Sequence, residues 1–323
     1  MRAASASEHA PVMLPEVLRA LEPRDGAVYV DGTFGAGGYT RAILEAADCT
    51  VIALDRDMSV EKYARDLKEK FGARLIFIRG CFGDVESILQ KNGFAKVDGF
   101  VLDLGVSSMQ LDQRERGFSF RFAGPLDMRM DTASGATAAD LVNTMKESDL
   151  ADVIYKYGEE RRSRKIANRI INQRAQKPFE TTIELADAVR AVVPRSPKDK
   201  SDPATRTFQA LRIAVNDELG ELERALEASE KILSPGGRLV VVTFHSLEDS
   251  IVKNFIREKS GRTPSGSRHF PEKSPQKADP VFVSLYNKAV SPSEEEASFN
   301  SRSRSAKLRG AARTPFTDRK DTL

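Results

Sequence analysis

The sequence predicts an α/β fold, in which a mostly parallel sheet carries an inserted α-helical domain. Two patterns lead to this class. Short apolar stretches alternate with helix-like stretches over the first third of the chain, and the alternation resumes near residue 206. Between these parts, the chain shows helical periodicity and no strongly strand-like stretch. We therefore expect two parts of one core, at residues 1–109 and 206–323, and a helical insert at residues 110–205.

The composition is that of a soluble globular protein. Of the 323 residues, 40% are hydrophobic and 30% are charged, which excludes the fibrous and membrane classes. The net charge of +3 is too small to identify a partner. Residues 1–8 lack the apolar stretch of a secretory signal, and the two cysteines and three histidines do not form a zinc-ligand cluster. We expect a cytoplasmic protein with no membrane contact and no metal ion.

Four strands are expected in the first part of the core. They cover Ala27–Asp31, Thr50–Leu54, Leu75–Ile78 and Val97–Leu102. Helix-like stretches separate them, at about residues 40–47, 60–71 and 85–92. Strands and helices that alternate at this spacing are typical of parallel crossover units.

In the insert and in the second part of the core, the sequence marks the ends of fewer helices and strands. Thr181 and Glu184 have the spacing of a capping box, which predicts a helix that ends near Pro194 and a loop at residues 195–205. The second part should begin with one long helix at about Ala210–Leu233. The elements expected after it are a turn at Ser234–Gly237, a strand at Arg238–Phe244, a helix at residues 249–257, a loop at residues 261–279, and antiparallel edge strands at Val281–Tyr286 and Ser305–Arg309.

A glycine-rich turn follows the first strand, in the stretch Asp31-Gly-Thr-Phe-Gly-Ala-Gly-Gly. Glycines let the main chain turn sharply and let a ligand approach it closely. Asp55 ends the second strand, where a carboxylate can accept hydrogen bonds from both hydroxyls of a ribose. Together these features indicate a nucleoside site. The structural alternative is a tight turn beside a helix-capping Asp.

The glycine spacing discriminates between nucleoside cofactors. A dinucleotide fingerprint, Gly-x-Gly-x-x-Gly, that starts at Gly35 would need a third glycine where the chain has Thr40, which disfavours an NAD-dependent oxidoreductase. The register that fits is acid-x-x-x-Gly-x-Gly, from Asp31 through Gly37. This is the pattern of S-adenosylmethionine-dependent methyltransferases, with Thr33 in place of their usual first glycine. S-adenosylmethionine carries no phosphate, so no anion cradle is needed, and Asp31 is a candidate anchor for it.

Two more strand ends carry candidate residues. Phe82 follows the third strand, and it either stacks on adenine or belongs to the core. Asp103 ends the fourth strand and is either a ligand-binding acid or a helix cap. In open parallel sheets, ligands bind beyond the carboxyl ends of the strands. We therefore expect Asp55, Phe82 and Asp103 to meet in one crevice.

Several longer motifs resemble the MraW (RsmH) family, and the resemblance covers His9 to about Arg309. The motifs are Asp31-Gly-Thr-Phe-Gly, Leu102-Asp-Leu-Gly-Val-Ser-Ser, Glu115-Arg-Gly-Phe-Ser-Phe, Gly124-Pro-Leu-Asp-Met-Arg-Met-Asp, Tyr157-Gly-Glu-Glu-Arg, Ala204-Thr-Arg-Thr-Phe-Gln-Ala and Thr243-Phe-His-Ser-Leu-Glu-Asp. The resemblance implies a class I S-adenosylmethionine-dependent methyltransferase fold, which is Rossmann-like, with an inserted helical domain that recognises the substrate. It also implies N4-methylation of a cytidine in the decoding region of 16S ribosomal RNA. The residues leave open whether the substrate is free RNA or the small ribosomal subunit, and whether the chain forms a homodimer.

The resemblance carries the family's cofactor contacts onto particular positions of this chain. These positions are Gly37, Gly38, Tyr39, Asp55, Phe82, Asp103 and Gln110. Tyr39 stands where many members have His, so a role for an imidazole is in doubt here. A contact through the main chain would survive this change.

The chemistry that the resemblance implies needs a hydrogen-bond acceptor near the base. The amino group of cytosine is a poor nucleophile, because its lone pair is conjugated with the ring. Asp103, or a carbonyl of the turn at residues 104–108, is the candidate to accept a hydrogen bond from this amino group. Much of the rate is then expected to come from the positioning of the two reactants. His245, at the end of the fifth strand, is a second catalytic candidate, and its alternative is a structural role.

Two basic stretches are candidates for binding RNA phosphates. Residues 156–177 carry eight basic and two acidic residues, and the tail from Ala297 carries seven basic and two acidic residues. The alternative for each stretch is a solvated face. The phenylalanines of the arginine-rich loop at residues 113–131 either stack a splayed base or pin the insert to the core. The candidate RNA-binding residues are Arg161, Arg162, Arg164, Lys165, Arg169 and Arg174.

Two other functions compete with RNA methylation. One is a DNA amino-methyltransferase of the same chemistry, which methyl transfer to duplex DNA would identify. The other is a non-catalytic ribosome-assembly factor. The glycine turn and Asp55 disfavour it, because such a protein need not keep a cofactor crevice.

Overall fold

The structure of the protein is a computed structural model, and it describes residues 11–194, 201–261, 279–300 and 302–315. The chain divides into two compact units. The first comprises residues 1–105 and 220–323, and the second comprises residues 106–219. The second unit is longer at both ends than the insert expected at residues 110–205. Within the described ranges, no helix has the length and apolar character needed to cross a lipid bilayer.

Seven strands form one sheet in the first unit. Their bounds are β1 (Val28–Asp31), β2 (Thr50–Asp55), β3 (Leu75–Arg79), β4 (Val97–Asp103), β5 (Leu233–Thr243), β6 (Phe282–Ser284) and β7 (Lys307–Arg313). The strand order is β3-β2-β1-β4-β5-β7-β6, and β7 runs antiparallel to both of its neighbours. The other pairs, from β3 to β5, are parallel. The expected α/β class, a Rossmann-like and mostly parallel sheet with an antiparallel edge, is confirmed.

Helices accompany the sheet in the first unit and make up most of the second. Their bounds are α1 (Leu14–Leu21), α2 (Gly38–Ala46), α3 (Glu61–Phe71), α4 (Val85–Lys91), α5 (Ser108–Asp112), α6 (Ala138–Thr144), α7 (Glu147–Gly158), α8 (Ser163–Arg174), α9 (Thr182–Arg190), α10 (Thr205–Asn216), α11 (Glu218–Ile232), α12 (Ser246–Lys259) and α13 (Glu294–Phe299). Successive residues of the central strands, such as Val101 and Leu102 in β4 and Val240 and Val241 in β5, are all buried. This is expected where both faces of a parallel sheet are covered.

The strand order also places the ligand-binding edge of the sheet. The order reverses between β1 and β4, and in open α/β sheets ligands bind at such a point, beyond the carboxyl ends of the strands. Asp31, Asp55 and Asp103 are the last residues of β1, β2 and β4. The fold therefore brings these three carboxyl groups to one edge.

The prediction of a single helix at residues 210–233 is wrong. α10 ends at Asn216 and α11 begins at Glu218, and Asp217 between them has a φ of 48°. A right-handed helix cannot continue through a left-handed residue, and Asp is one of the residue types that tolerate this conformation. An ion pair between Arg212 and Glu218, with 2.8 Å from Nε to Oε1, spans the break.

The turn expected at Ser234–Gly237 is also wrong, because β5 already begins at Leu233. The pairing of β5 with β4 shifts register between Val97 and Gly99, and Gly236 has a φ of 79°. The glycines therefore serve an irregular, bulged part of a strand. Residues 195–200 and 262–278, which hold most of the two expected loops, lie outside the described residues.

The second unit has a hydrophobic core of its own, in which α7 packs on α8 and α10. The capping box expected at the start of α9 is confirmed, since the Thr181 side chain accepts a hydrogen bond from the Glu184 N–H at 3.3 Å. The helix ends at Arg190, earlier than the end expected near Pro194. α10 belongs to this unit, where it packs on α7 and α6.

Candidate active site

Asp31 supports the glycine-rich turn from the inside. Its side chain is fully buried, and Oδ2 accepts a hydrogen bond from the Thr40 hydroxyl at 2.7 Å. Oδ1 accepts a second one from the Thr33 N–H at 3.1 Å. Each carboxylate oxygen thus has a partner within the protein, and these contacts fix the shape of the turn. The role considered for Asp31 as a cofactor anchor stays a prediction.

The glycines of the turn are needed for different reasons. Gly37 has a φ of 80°, and a Cβ there would overlap the side chains of Leu67 and Phe34. A Cβ on Gly38 would overlap the ring of Pro11. Gly35 differs, because with a φ of 53° its only near neighbour would be the Thr33 carbonyl at 3.9 Å. Open space therefore lies beside the main chain at Gly35, where a ligand can approach.

Asp55 lies directly beside this space. Its Oδ2 accepts a hydrogen bond from the Gly35 N–H at 2.8 Å, and its Oδ1 accepts one from the Asp57 N–H at 2.9 Å. Burial raises the pKa of Asp55 to about 6, although the two main-chain hydrogen bonds oppose this shift. A carboxylate has about four acceptor positions, so each oxygen can accept one more hydrogen bond. The arrangement fits a ribose with two adjacent hydroxyls.

Asp103 is held at the end of β4 with one side-chain oxygen unpartnered. Its main-chain N–H donates to the Thr33 hydroxyl at 2.7 Å, which links β4 to the glycine turn. Its Oδ1 is buried and has no hydrogen-bond partner among the described residues. Burial raises its pKa well above the usual range, and the carboxyl groups of Asp31, Glu248 and Glu296 raise it further. Buried polar atoms are normally hydrogen-bonded, so this oxygen is a candidate contact for a ligand, and the role of Asp103 stays a prediction.

Phe82 opens a short 3₁₀ turn after β3 and is half-buried. It packs against the main hydrophobic core, and its Cβ lies near Gly32 of the glycine turn. The turn is fixed from α11, because the buried Glu221 accepts a hydrogen bond from the Gly83 N–H at 2.8 Å. Phe82 thus packs partly on the core and keeps part of its surface exposed next to the glycine turn. Its stacking on adenine stays a prediction.

Comparison with known proteins decides the family. The sequence matches the model of the MraW methylase family over residues 6–314. The chain belongs to this family. A relative from Rhodospirillum rubrum, named ribosomal RNA small subunit methyltransferase H, is 57% identical over 95% of both chains. A relative of the same name from Paramagnetospirillum magneticum is 57% identical over 96% of this chain and 97% of its own.

Tyr39 and Gln110, two of the positions where the MraW family contacts its cofactor, use their side chains for hydrogen bonds within the protein. Tyr39 is buried, and its hydroxyl donates to the Val12 carbonyl at 2.5 Å, so a main-chain contact is the role that remains. Gln110 belongs to the second unit, where its Oε1 accepts a hydrogen bond from the Ser107 N–H at 3.0 Å in the capping box of α5. The cofactor contacts of both residues stay predictions.

His245 is the N-cap residue of α12 in this MraW-family chain. Its Nδ1 accepts a weak hydrogen bond of 3.5 Å from the Glu248 N–H. The carboxylate of Glu248 in turn accepts hydrogen bonds from the N–H groups of Phe244 at 2.8 Å and His245 at 3.2 Å. These contacts support a structural role for the Nδ1 side of the ring. Its Nε2 is buried 3.1 Å from Glu248 Oε1 and has no hydrogen-bond partner among the described residues, and the catalytic role of His245 stays a prediction.

The candidate RNA-binding residues differ in whether their side chains already have a partner within the protein. Arg174 is half-buried and donates to the Val142 carbonyl at 2.6 Å, and Arg162 donates to the Val192 carbonyl at 3.4 Å. The remaining four are exposed on or next to α8, and they have no carboxylate partner among the described residues. These four are Arg161, Arg164, Lys165 and Arg169.

Other sequence candidates turn out to be structural. Lys307 and Arg309, in the basic tail, lie in β7 and pair with Asp249 at 3.2 and 2.7 Å. The tail is therefore not a free basic segment over its described part. In the loop at residues 113–131, Phe118 is buried and Phe120 packs on this unit's core, whereas Phe122 is 66% exposed.

Proposed function

We propose that this chain transfers the methyl group of S-adenosylmethionine to the N4 amino group of one cytidine in the decoding region of 16S ribosomal RNA. Membership of the MraW methylase family supports the reaction class, and relatives named as small-subunit ribosomal RNA methyltransferases support the substrate. The observation that carries the proposal is the opening beside Gly35 and Asp55, at the same sheet edge as the unpartnered oxygen of Asp103. We infer that the reaction occurs in the cytoplasm, on the small ribosomal subunit.

The first unit supplies the groups that would hold the methyl donor. Asp55 accepts hydrogen bonds from the ribose hydroxyls, and the main chain at Gly37, Gly38 and Tyr39 contacts the remainder of the molecule. Phe82 covers the adenine. When bound, the donor supplies an electrophilic methyl carbon attached to a positively charged sulfur.

Asp103 is the group that we assign to the amino nitrogen of the base. Its Oδ1 accepts a hydrogen bond from the amino N–H, which turns the nitrogen lone pair out of the ring plane. The nitrogen loses one proton when it gains the methyl group, and Asp103 holds this proton. Burial suits the carboxylate to the task, because a raised pKa makes its ionised form a stronger proton acceptor.

The decisive experiment measures transfer of a labelled methyl group to small ribosomal subunits from a strain that lacks this gene, followed by nucleoside mapping. We expect label in one N4-methylcytidine. Parallel reactions use free 16S ribosomal RNA and duplex DNA. Label on another base, or on duplex DNA in place of RNA, would contradict the proposal.

Donor binding should depend on the ionisation of Asp55. The ionised carboxylate accepts two hydroxyl hydrogen bonds, and protonation removes part of this capacity. With a pKa of about 6, the ionised fraction falls by about tenfold between pH 7 and pH 5. Calorimetric titration with the donor should therefore show Kd rising by about tenfold over this range.

The matched variant is Asp55→Asn, which should bind the donor weakly and with no such pH dependence. The contribution of Asp55 to protein stability should fall as the pH rises, whereas donor binding should become tighter. The pKa of Asp55 in the folded chain lies above its unfolded value of 3.8, so this group stabilises the fold most below pH 3.8. That contribution is lost as the pH rises through about 6. A pH-independent Kd in the unaltered protein would exclude Asp55 from the donor site.

The exposed basic face of α8 should contribute to RNA affinity through charge alone. We expect the triple variant Arg161→Gln, Lys165→Gln, Arg169→Gln to reduce the slope of log K against log[salt] by about 2, since each phosphate contact contributes about 0.7 on single-stranded RNA. The control removes the same charge elsewhere, as Lys62→Gln, Arg65→Gln, Lys91→Gln, which are exposed residues of the first unit. Equal slopes for the two variants would remove α8 from the RNA interface.

A further inference from the structure

A second positively charged site lies at the far edge of the sheet. α12, β6, β7 and the segment after β6 line a partly open cavity of about 220 Å³. Its charged lining residues are Lys253 and Arg257 from α12, Lys288 from the segment after β6, and Arg309 from β7. Its lining contains no carboxylate. All of these residues belong to the first unit.

Three of the four cations are free to meet a ligand. Arg309 is held from one side by the ion pair with Asp249, at 2.7 Å. Lys253, Arg257 and Lys288 are exposed, and they have no ion-pair partner within the described part of the chain. Three like charges around one small cavity repel one another, and an anion in the cavity would relieve this repulsion.

The end of a helix explains only part of this arrangement. Cations near a helix C-terminus are favourable, because the terminus carries about half a negative elementary charge. This accounts for Arg257, in the last turn of α12. It does not account for Lys253, one turn earlier, or for Lys288, which comes from a different element. Three full positive charges also outweigh the opposing half charge of the helix end.

An unpartnered hydroxyl in the lining points to a ligand with acceptor oxygens. The Ser260 Oγ, at the C-cap of α12, is buried and has no hydrogen-bond partner among the described residues. Buried polar atoms of this kind are normally satisfied, so an acceptor is expected next to it. The cavity is smaller than the roughly 300–1,000 Å³ typical of small-molecule sites. It therefore fits one charged group of a larger molecule.

We propose that this cavity binds a phosphate group of the substrate RNA backbone. The inference rests on the proposed function, which makes RNA the substrate. Asp103, which we assign to the target base, ends β4, and β7 and β6 are two and three strands from β4, or roughly 10 to 14 Å at about 4.8 Å per strand. The phosphate therefore belongs to a nucleotide other than the target base. Such a contact positions the RNA on the enzyme without reading its sequence.

The test measures binding of small-subunit ribosomal RNA at several salt concentrations. The variant is Lys253→Gln, Arg257→Gln, Lys288→Gln, and the control is the Lys62, Arg65, Lys91 triple variant described above, which loses the same charge. We expect the slope of log K against log[salt] to fall by about 0.7 in the first variant, because one phosphate contact is lost, and to be unchanged in the control. The donor Kd should stay within twofold in both. Equal slopes in the two variants, with methylation by the unaltered protein intact, would overturn the phosphate site and leave the proposed function standing.

Two further measurements separate the sources of phosphate and the role of the hydroxyl. Ser260→Ala should weaken RNA binding several-fold at an unchanged slope, because it removes a hydrogen bond and no charge. Inorganic phosphate at constant ionic strength should reduce RNA binding by the unaltered protein and not by the Lys253, Arg257, Lys288 variant. Phosphate binding that leaves RNA affinity unchanged would overturn the assignment to RNA. If the unaltered protein neither bound nor methylated the RNA, the proposed function would fail together with this inference.

Discussion

Asp103→Asn is expected to lower kcat for methyl transfer by at least about a hundredfold, the lower range for loss of a positioned proton acceptor. The amide can still accept a hydrogen bond through its oxygen, but it cannot hold the proton that the amino nitrogen releases. We expect this variant to be no less stable than the unaltered protein. Asp103 has a buried, unpartnered oxygen and three neighbouring carboxyl groups that raise its pKa, so ionisation of this side chain destabilises the native state. Single-turnover rates and thermal unfolding midpoints together check the prediction.

Asp98→Asn is the matched control, because Asp98 lies at the opposite end of the same strand. Its Oδ2 accepts a hydrogen bond from the Val28 N–H at 2.9 Å, so this variant should lose some stability and keep its rate. Asp103→Asn is thus expected to lose activity and keep its stability, whereas Asp98→Asn should lose stability and keep its activity. If Asp103→Asn bound the donor normally and methylated at the full rate, the assignment of Asp103 would be wrong.

The positions of the acidic candidates could be predicted from the sequence because they depend on a local pattern. Asp31, Asp55 and Asp103 each follow a short apolar stretch, and parallel strands place their carboxyl ends at one edge. Their partners could not be predicted in the same way. Tyr39, for example, uses its hydroxyl on the carbonyl of Val12, and nothing in the sequence around Tyr39 specifies that contact.

The predicted ends of helices and strands were wrong where they depended on the local backbone conformation. The apolar periodicity of α10 and α11 is continuous enough to suggest one helix, and the break depends on the left-handed conformation of Asp217. Likewise, Ser234–Gly237 has the composition of a turn, yet Leu233 before it and Arg238 after it both pair with β4, so it forms a bulge inside β5. Tertiary pairing overrides local composition in such cases.

The basic residues show a similar limit. A count of charges treats the tail and α8 alike, since both are strongly basic. In the structure, Asp249 pairs with Lys307 and Arg309, whereas Arg161 and Lys165 have no carboxylate partner in the ranges described. Charge counts therefore need the positions of the opposing acids before they indicate a binding surface.

Gly35→Ala is expected to weaken donor binding by at least about tenfold, with a loss of stability that comes from the backbone conformation alone. The Cβ would enter the open space beside the main chain at Gly35, next to the carboxylate that we assign to the ribose. The protein itself offers no clash, because the nearest atom would be the Thr33 carbonyl at 3.9 Å. The remaining cost is that of an alanine at a φ of 53°, about 1–2 kcal/mol. Calorimetric titration with the donor gives the affinity, and thermal unfolding gives the stability.

Gly26→Ala provides the matched control for the backbone cost. Gly26 has a φ of 73° and no atom within 4 Å of a Cβ, and it precedes β1 at the edge opposite the glycine turn. The two variants should therefore lose similar stability, and only Gly35→Ala should lose donor affinity. Gly37→Ala should be much less stable than either, because its Cβ would overlap Leu67 and Phe34. Equal donor affinities in Gly35→Ala and Gly26→Ala would show that the donor does not occupy the space beside Gly35, and the site at this edge of the sheet would have to be placed elsewhere.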